Sequence, residues 1–210
     1  MSRKKTFIIS VGAILVICGV CLAQSRMDSL KQEAILWVQA NEKMLDDASL
    51  AIWRFAELAL AEYESSKCLA DMLEREGFTV QRGFADMPTA FVASYGSGKP
   101  VVGILAEYDA LPGVGDVSWL VPNASLTTAC WPGGVPGHSW GVVTCSGSSI
   151  GLKGMKVTAK TIAAAAIEVL MDRRIVEKAQ AEFKEKTKDF TYKSAVPKDR
   201  KPRLPIDKNG

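Results

Sequence analysis

Apolar residues recur at three- and four-residue spacing from Met27 to about Ala61: Leu30, Ala34, Trp37 and Val38, then Met44, Leu45, Ala48, Ile52, Phe55 and Ala56. That period is the mark of an amphipathic helix, and Asp28 or Ser29 is placed to cap its start. A second helix is predicted over Ser65–Glu76, with Leu69, Met72 and Leu73 on one face and Gly77 where helices commonly turn left-handed and stop. The period then shortens. Phe78–Val80 and Thr89–Tyr95 read as strands, and Gly96-Ser97-Gly98 reads as a turn. Val101–Ala106 reads as a third strand, so uniformly apolar that both of its faces are expected to be covered. Beyond Gly115, prolines and glycines mark loops around two further predicted strands, Ser125–Cys130 and Ser139–Ser146. The helical period returns over Gly154–Met171, where Met155, Ile162, Ala166 and Leu170 form a stripe, and again in the charged segment Arg174–Lys188. Val196–Gly210 carries three prolines and mixed charge and is expected to extend along the surface or stay disordered.

Composition changes this picture mainly at the ends. The chain has 210 residues, 48% of them hydrophobic, enough for one ordinary core. Arg3, Lys4 and Lys5 precede an apolar run from Phe7 to Leu22, followed by Ala23 and Gln24. A basic start, an apolar stretch of this length and a small residue at its end describe a secretory signal cleaved after Ala23. The alternative is a membrane anchor through residues 7–22, although a full span needs about 20 apolar residues. The domain reading is therefore a signal over 1–23, a folded unit over 24–195 and a tail over 196–210, in a protein exported to the periplasm or beyond. Net charge is +3, but the basic excess sits at the two ends, with nine basic against four acidic residues in Lys184–Lys208. No basic stripe crosses the middle, which excludes a nucleic-acid partner. Of five cysteines, Cys18 and Cys21 form a CxxC inside the apolar run, so they carry no redox or metal reading. Cys68, Cys130 and Cys145 remain, with room for at most one internal disulfide, its pairing open.

Three constellations are candidates for chemistry. Glu107 and Asp109 follow the third predicted strand on one side of the chain, at the carboxyl end where open α/β sheets place their sites. They are an acid/base pair or solvated loop carboxylates. His138, the only histidine, lies in Pro136-Gly137-His138-Ser139-Trp140. Zinc needs three or four protein ligands, and Glu107, Asp109, Asp116 and Cys130 do not stand at any recognised ligand spacing from His138. Gly147-Ser148-Ser149-Ile150-Gly151 fits the G-x-S-x-G pattern that exposes a nucleophilic serine, here Ser149. The hydrolases that use that turn place a histidine after the serine, and none follows Ser149. A flexible strand-to-helix connection is the better reading.

Two sets of blocks in this order carry a resemblance. Ile52–Val80 (IWRFAELALAEYESSKCLADMLEREGFTV) followed by Gly103–Gly113 (GILAEYDALPG) resembles the amino-terminal part of the dizinc peptidase/amidohydrolase family, which includes aminoacylases, carboxypeptidase G and hippurate-type hydrolases. GDVSWLVP (Gly115–Pro122), PGHSW (Pro136–Trp140) and SSIGLKGM (Ser148–Met155) resemble its carboxy-terminal part. Within the family the match is to the branch that cleaves p-aminobenzoyl-glutamate, and the blocks span most of residues 28–205.

The resemblance implies an α/β fold, a layered mixed sheet flanked by helices, in a truncated zinc-exopeptidase-like catalytic domain without the dimerisation domain. It implies that Asp109 matches the Asp-Ala-Leu-Pro element beside the metal centre, in an acid or metal-supporting role, and that His138 matches a late zinc ligand. It also implies what is missing. The family follows Asp-Ala-Leu-Pro-Gly with Gly-His-x-Cys-Gly-His, then a Glu-Glu pair supplying the general base, another histidine and the dimerisation segment. Here Gly113-Val114-Gly115 passes directly to Asp116-Val117-Ser118-Trp119. The expectation is an internally deleted amidohydrolase, inert alone, without stoichiometric zinc. The alternative is a module binding a small acyl-amino acid, a peptide-like ligand or a partner in the residual cleft. Losing interior strands exposes edges and apolar surface, so self-association is also expected. A membrane is a partner only if the signal stays uncleaved.

Overall fold

The computed structural model describes residues 3–57, 60–107 and 117–194, with side chains described from residue 22 onward. In chain order the elements are α1 (Arg3–Ala40), α2 (Glu42–Phe55), α3 (Tyr63–Arg75), β1 (Thr79–Arg82), β2 (Phe91–Ser94), α4 (Trp140–Ser146), α5 (Ser149–Met171) and α6 (Arg173–Thr187). Short 3-10 turns stand at Phe84–Asp86 and Val117–Trp119.

The helix expected from Met27 to Ala61 is two helices, and the first begins earlier. α1 passes through Ala23 and Asp28 without a break. Gln24 donates to Asp28 at 3.1 Å on the helix surface, so Asp28 is tied within the helix instead of capping a new one. The break comes at Asn41, whose backbone N–H and side-chain amide both donate to the carbonyl of Trp37, at 3.0 and 2.8 Å. The side-chain bond offers that carbonyl an alternative partner, which is how Asn competes with helix propagation. α2 ends at Ala56, a left-handed residue with φ 50°.

α3 shows local signals that act as the sequence predicts. At its end the Phe78 N–H donates to Leu73 and the Gly77 N–H to Glu74, both at 3.0 Å, with Gly77 at φ 88°. This is the paired closure that glycine permits at a helix terminus. Its start is satisfied from a distance. Glu62, at the N-cap position, makes no capping bond of its own. Glu57 accepts from the backbone of Glu64 at 2.8 Å, and from the backbone and hydroxyl of Ser65 at 2.9 and 2.7 Å. Three otherwise unpaired groups at a helix start are thus met by one carboxylate, in the direction the helix dipole favours.

β1 and β2 pair antiparallel, Thr79 opposite Ser94 and Arg82 opposite Phe91. α3 lies against both strands. Arg82 reaches back to Asp71 at 2.8 Å and Glu74 at 2.7 Å, and the rings of Phe78 and Tyr95 stack at 5.2 Å. Among the described residues this is the sheet: two strands.

The other predicted strands differ. Ser139–Ser146 is helical. Its valines and Thr144 suit a strand, but Ser139 accepts from the Val142 N–H at 3.4 Å and starts a turn of helix, a tertiary context that overrides propensity. Ser125–Cys130 and Val101–Ala106 are not assigned to any sheet. The expected cover on both faces of Val101–Ala106 is absent among the described residues: Val101 is 82% exposed, Ile104 64% and Leu105 57%. A strand of that composition forms only when neighbours supply both hydrogen bonds and apolar cover.

α5 is the hub. α1, α2, α4 and α6 pack against it, and α2 also contacts α3, which joins the strand pair to the helices. Two lysine clamps cross these contacts. Lys31 of α1 pairs with Glu168, and Lys156 of α5 reaches Glu42 at 3.3 Å and Asp46 at 3.1 Å on α2. The apolar interior is thin: among the described residues only Val38 and Ala70 are buried hydrophobics. No helix among the described residues is long and apolar enough to cross a membrane.

The Glu57 cap gives a pH-dependent prediction. Burial pushes its carboxyl up, but the hydrogen bonds from Glu64, Ser65 and Tyr63 outweigh it and hold the group below its ordinary value of 4.5. A lowered folded value stabilises fully above pH 4.5, and that contribution is lost as pH falls through the folded value. Glu57→Ala should therefore cost about 1 kcal/mol in urea unfolding at neutral pH. The gap between the two proteins should close on acidification; a gap independent of pH would refute the role given to the ionised carboxylate.

Candidate functional site

Among the described residues, those expected to carry chemistry are not gathered. Asp109 and Asp116 lie outside the described residues. Glu107 is exposed at the end of the uncovered Val101–Ala106 segment. His138 is exposed too, in the Pro132–Ser139 loop, with a left-handed backbone at φ 54°. That conformation is uncommon outside glycine, although Asn, Asp and His adopt it more readily than other residues. It follows from what comes next: the Ser139 hydroxyl donates to the Pro136 carbonyl at 2.7 Å and accepts from Val142, which closes the loop tightly around Gly137 and His138.

Cys130 is placed by a different contact. The hydroxyl of Thr128 meets that of Thr158 on α5 at 2.7 Å, and both hydroxyls reach the Gly154 carbonyl, at 3.3 and 3.0 Å. This pins residues 128–130 on α5, with the Cys130 sulfur where a side chain on Gly154 would stand, 2.6 Å from an added Cβ. Cys130 is a packing thiol, and Cys68, Cys130 and Cys145 are all free.

The described donors do not fit zinc. No group of three His, Cys, Asp or Glu side chains among the described residues is close enough to share a metal ion. Zinc requires such a group, deprotonated and convergent. Placed on an exposed loop, His138 offers a single nitrogen donor.

The G-x-S-x-G segment is explained by packing. Ser149 is the exposed first residue of α5, while the Ser148 hydroxyl donates to the Cys145 carbonyl at 2.8 Å. The flanking glycines are the residues under constraint. A Cβ on Gly147 would lie 2.7 Å from the Trp53 ring, whose indole N–H donates to the Val143 carbonyl at 2.8 Å. A Cβ on Gly151 would lie 2.5 Å from the Cys145 carbonyl oxygen. The pattern is that of a close helix-to-helix turn roofed by a tryptophan.

Sequence reading missed one buried carboxylate. Glu62 is 5% exposed; it accepts from the Leu60 N–H at 3.0 Å and from the hydroxyl of Thr89, also 5% exposed, at 3.2 Å. It ties the start of α3 to the chain entering β2. In Ala61-Glu62-Tyr63-Glu64 nothing distinguishes it from its exposed neighbour Glu64, because its partner is distant in sequence.

Comparison with known proteins identifies the relatives. The chain is 38% identical to one of the subunits of the p-aminobenzoyl-glutamate hydrolase of Escherichia coli (strain K12) over 104 residues, 50% of this chain and 21% of that protein. It is 32% identical to the Xaa-Arg dipeptidase of Homo sapiens over 111 residues, 46% of this chain and 25% of that protein. Half of this chain resembles amidohydrolases and peptidases. The resemblance to that amidohydrolase/peptidase family is thus shown over about half of the chain. The chain spans only about a fifth to a quarter of the length of these curated relatives. No protein-family profile matches it. No solved structure matches it either.

The two readings of Gly147–Gly151 separate in a stability experiment. Gly151→Ala should cost about 1–3 kcal/mol, because the added carbon meets main-chain atoms that cannot swing aside. Ser149→Ala should stay within about 0.5 kcal/mol. Urea midpoints in the reverse order would restore Ser149 as the residue the turn exists to present.

Proposed function

We propose that this chain is an exported, internally deleted amidohydrolase-family protein that does not by itself hydrolyse an amide. The parent activity is metal-dependent cleavage of an acyl-amino-acid amide such as p-aminobenzoyl-glutamate. The observation that carries the reading is the single histidine among 210 residues. Hydrolysis by this chemistry needs a zinc-activated water and a carboxylate base to take its proton. One imidazole, with Asp116 following so soon after Asp109, leaves neither a ligand set nor the Glu-Glu pair. His138 and Asp109 keep their places in the motifs without partners to act with.

The fold reading accompanies this. The parent is a layered α/β domain, and Val101–Ala106 is one of its interior strands whose neighbours belonged to the deleted portion. The strand's all-apolar sequence and its exposure both support that. Export rests on Arg3–Lys5 and the apolar run up to Leu22.

Metal content and turnover test the proposal together. The purified chain, supplied with zinc and then desalted, should retain far less than one zinc per chain and release no p-aminobenzoate from p-aminobenzoyl-glutamate. Stoichiometric zinc with turnover abolished by His138→Ala would overturn it. Resequencing the encoding DNA across Gly113–Asp116 is a second check: a reading-frame error that restores a Gly-His-x-Cys-Gly-His segment would overturn the deletion itself.

A further inference from the structure

Three sulfur-bearing residues line one groove between α2 and α3: Met44 from α2, and Cys68 and Met72 from α3. Cys68 and Met72 are four positions apart, so they share one face of α3 on successive turns. On the α2 side, Ala48 and Ala51 also line the groove, and their short side chains leave it open, at about 560 Å³. All three sulfur residues are half-buried, and Cys68 is a free thiol. Neither the family motifs nor the caps of α3 make use of them.

We propose that this groove binds one copper(I) ion, with the Cys68 thiolate and the Met44 and Met72 thioethers as its ligands. Softness selects the ion. Thiolate and thioether sulfur favour copper(I), whereas magnesium, calcium and manganese take oxygen ligands. Zinc is held by thiolate, imidazole or carboxylate, and no three such groups converge among the described residues. Methionine is unbranched and turns about three side-chain bonds, so Met44 and Met72 can offer sulfur from the two walls to one ion.

Charge points the same way. Lys43 and Arg75, both exposed, also line the groove, and Lys43 pairs with Asp47 at 2.6 Å. A thiolate and a monovalent cation together are neutral, and two thioethers add no charge. A divalent cation on the same ligands would leave a net positive charge in a half-buried groove beside two cationic side chains. Binding releases the thiol proton to water as the copper–sulfur bond forms. No electron moves, because the ion arrives as copper(I). The site is independent of whether any amide is hydrolysed.

Competition for copper tests it. To keep the thiols of the apolar run out of the measurement, the full chain carries Cys18→Ser and Cys21→Ser. Titrated without oxygen against the coloured copper(I)–bicinchoninate complex, this protein should withdraw one copper per chain, and Cys68→Ser should abolish the withdrawal. Met44→Leu and Met72→Leu nearly conserve volume. Each should weaken binding by at least the roughly 10–100-fold that losing a supporting partner costs a metal site. Cys145→Ser and Met155→Leu, away from the groove, should leave it unchanged. X-ray absorption at the copper edge of the loaded protein should show a first shell of sulfur alone, a readout that needs no further variant to fold. Failure to withdraw copper, or copper retained by Cys68→Ser, would overturn the proposal. So would nitrogen or oxygen in the first shell, or an affinity indifferent to both methionine variants, which would mean a thiol acting alone.

Discussion

The packing depends on how closely other main-chain segments approach α5. At Gly151 the Cys145 and Ser146 carbonyls, and at Gly154 the Ala129 carbonyl with the Cys130 sulfur, occupy the space of a missing Cβ. At Gly147, just before the helix, the Trp53 ring does the same. With so few buried hydrophobics, these contacts set where α4, the 128–130 segment and α2 sit. The ion pairs from Lys31 and Lys156 then fix α1 and α2 along the same helix. These pairs are part-buried, each joining a mostly covered lysine to a more exposed carboxylate that water still screens, so each contributes modestly. Their part here is to choose among orientations that a thin apolar interface would otherwise leave nearly equal in energy.

The two halves of the described chain are held differently. Around α3 the bonds are polar and specific: the Glu57 carboxylate on the helix start, Glu62 with Thr89, and Arg82 on Asp71 and Glu74. Around α5 they are steric. α2 belongs to both groups, with Trp53 facing the α4–α5 turn and its neighbours facing α3. Exposed Val101, Ile104 and Leu105 stand outside both groups.

What the sequence made legible follows the same division. The end of α3 at Gly77, the β1 and β2 strands, the end of α5 at Met171 and the extent of α6 were readable, because caps, turns and periodicity are fixed within a few residues of one another. Ser139–Ser146 was misread, because a single serine cap outweighed a run of strand-favouring side chains. Val101–Ala106 was read correctly as apolar and wrongly as covered, since composition states what a segment needs and not whether a partner exists. The start of α1 before Met27 was missed because Asp28 and Ser29 have the chemistry of a cap, whereas Asp28 is bonded within the helix. For the site, sequence could not say whether donors converge on His138; among the described residues no group of three does.

Motifs and catalysis can part company for a physical reason. A Pro-Gly-His-Ser turn is built by its own Ser139, whose hydroxyl bonds within the loop, so it forms whether or not a metal site stands beside it. A dizinc centre is instead a property of several segments at once: each ligand alone binds weakly, and only their convergence offsets the loss of water from the ion. Removing one segment leaves every remaining turn intact and removes the centre entirely. Sequence similarity, accumulated turn by turn, persists through such a loss, whereas the capacity to activate water does not.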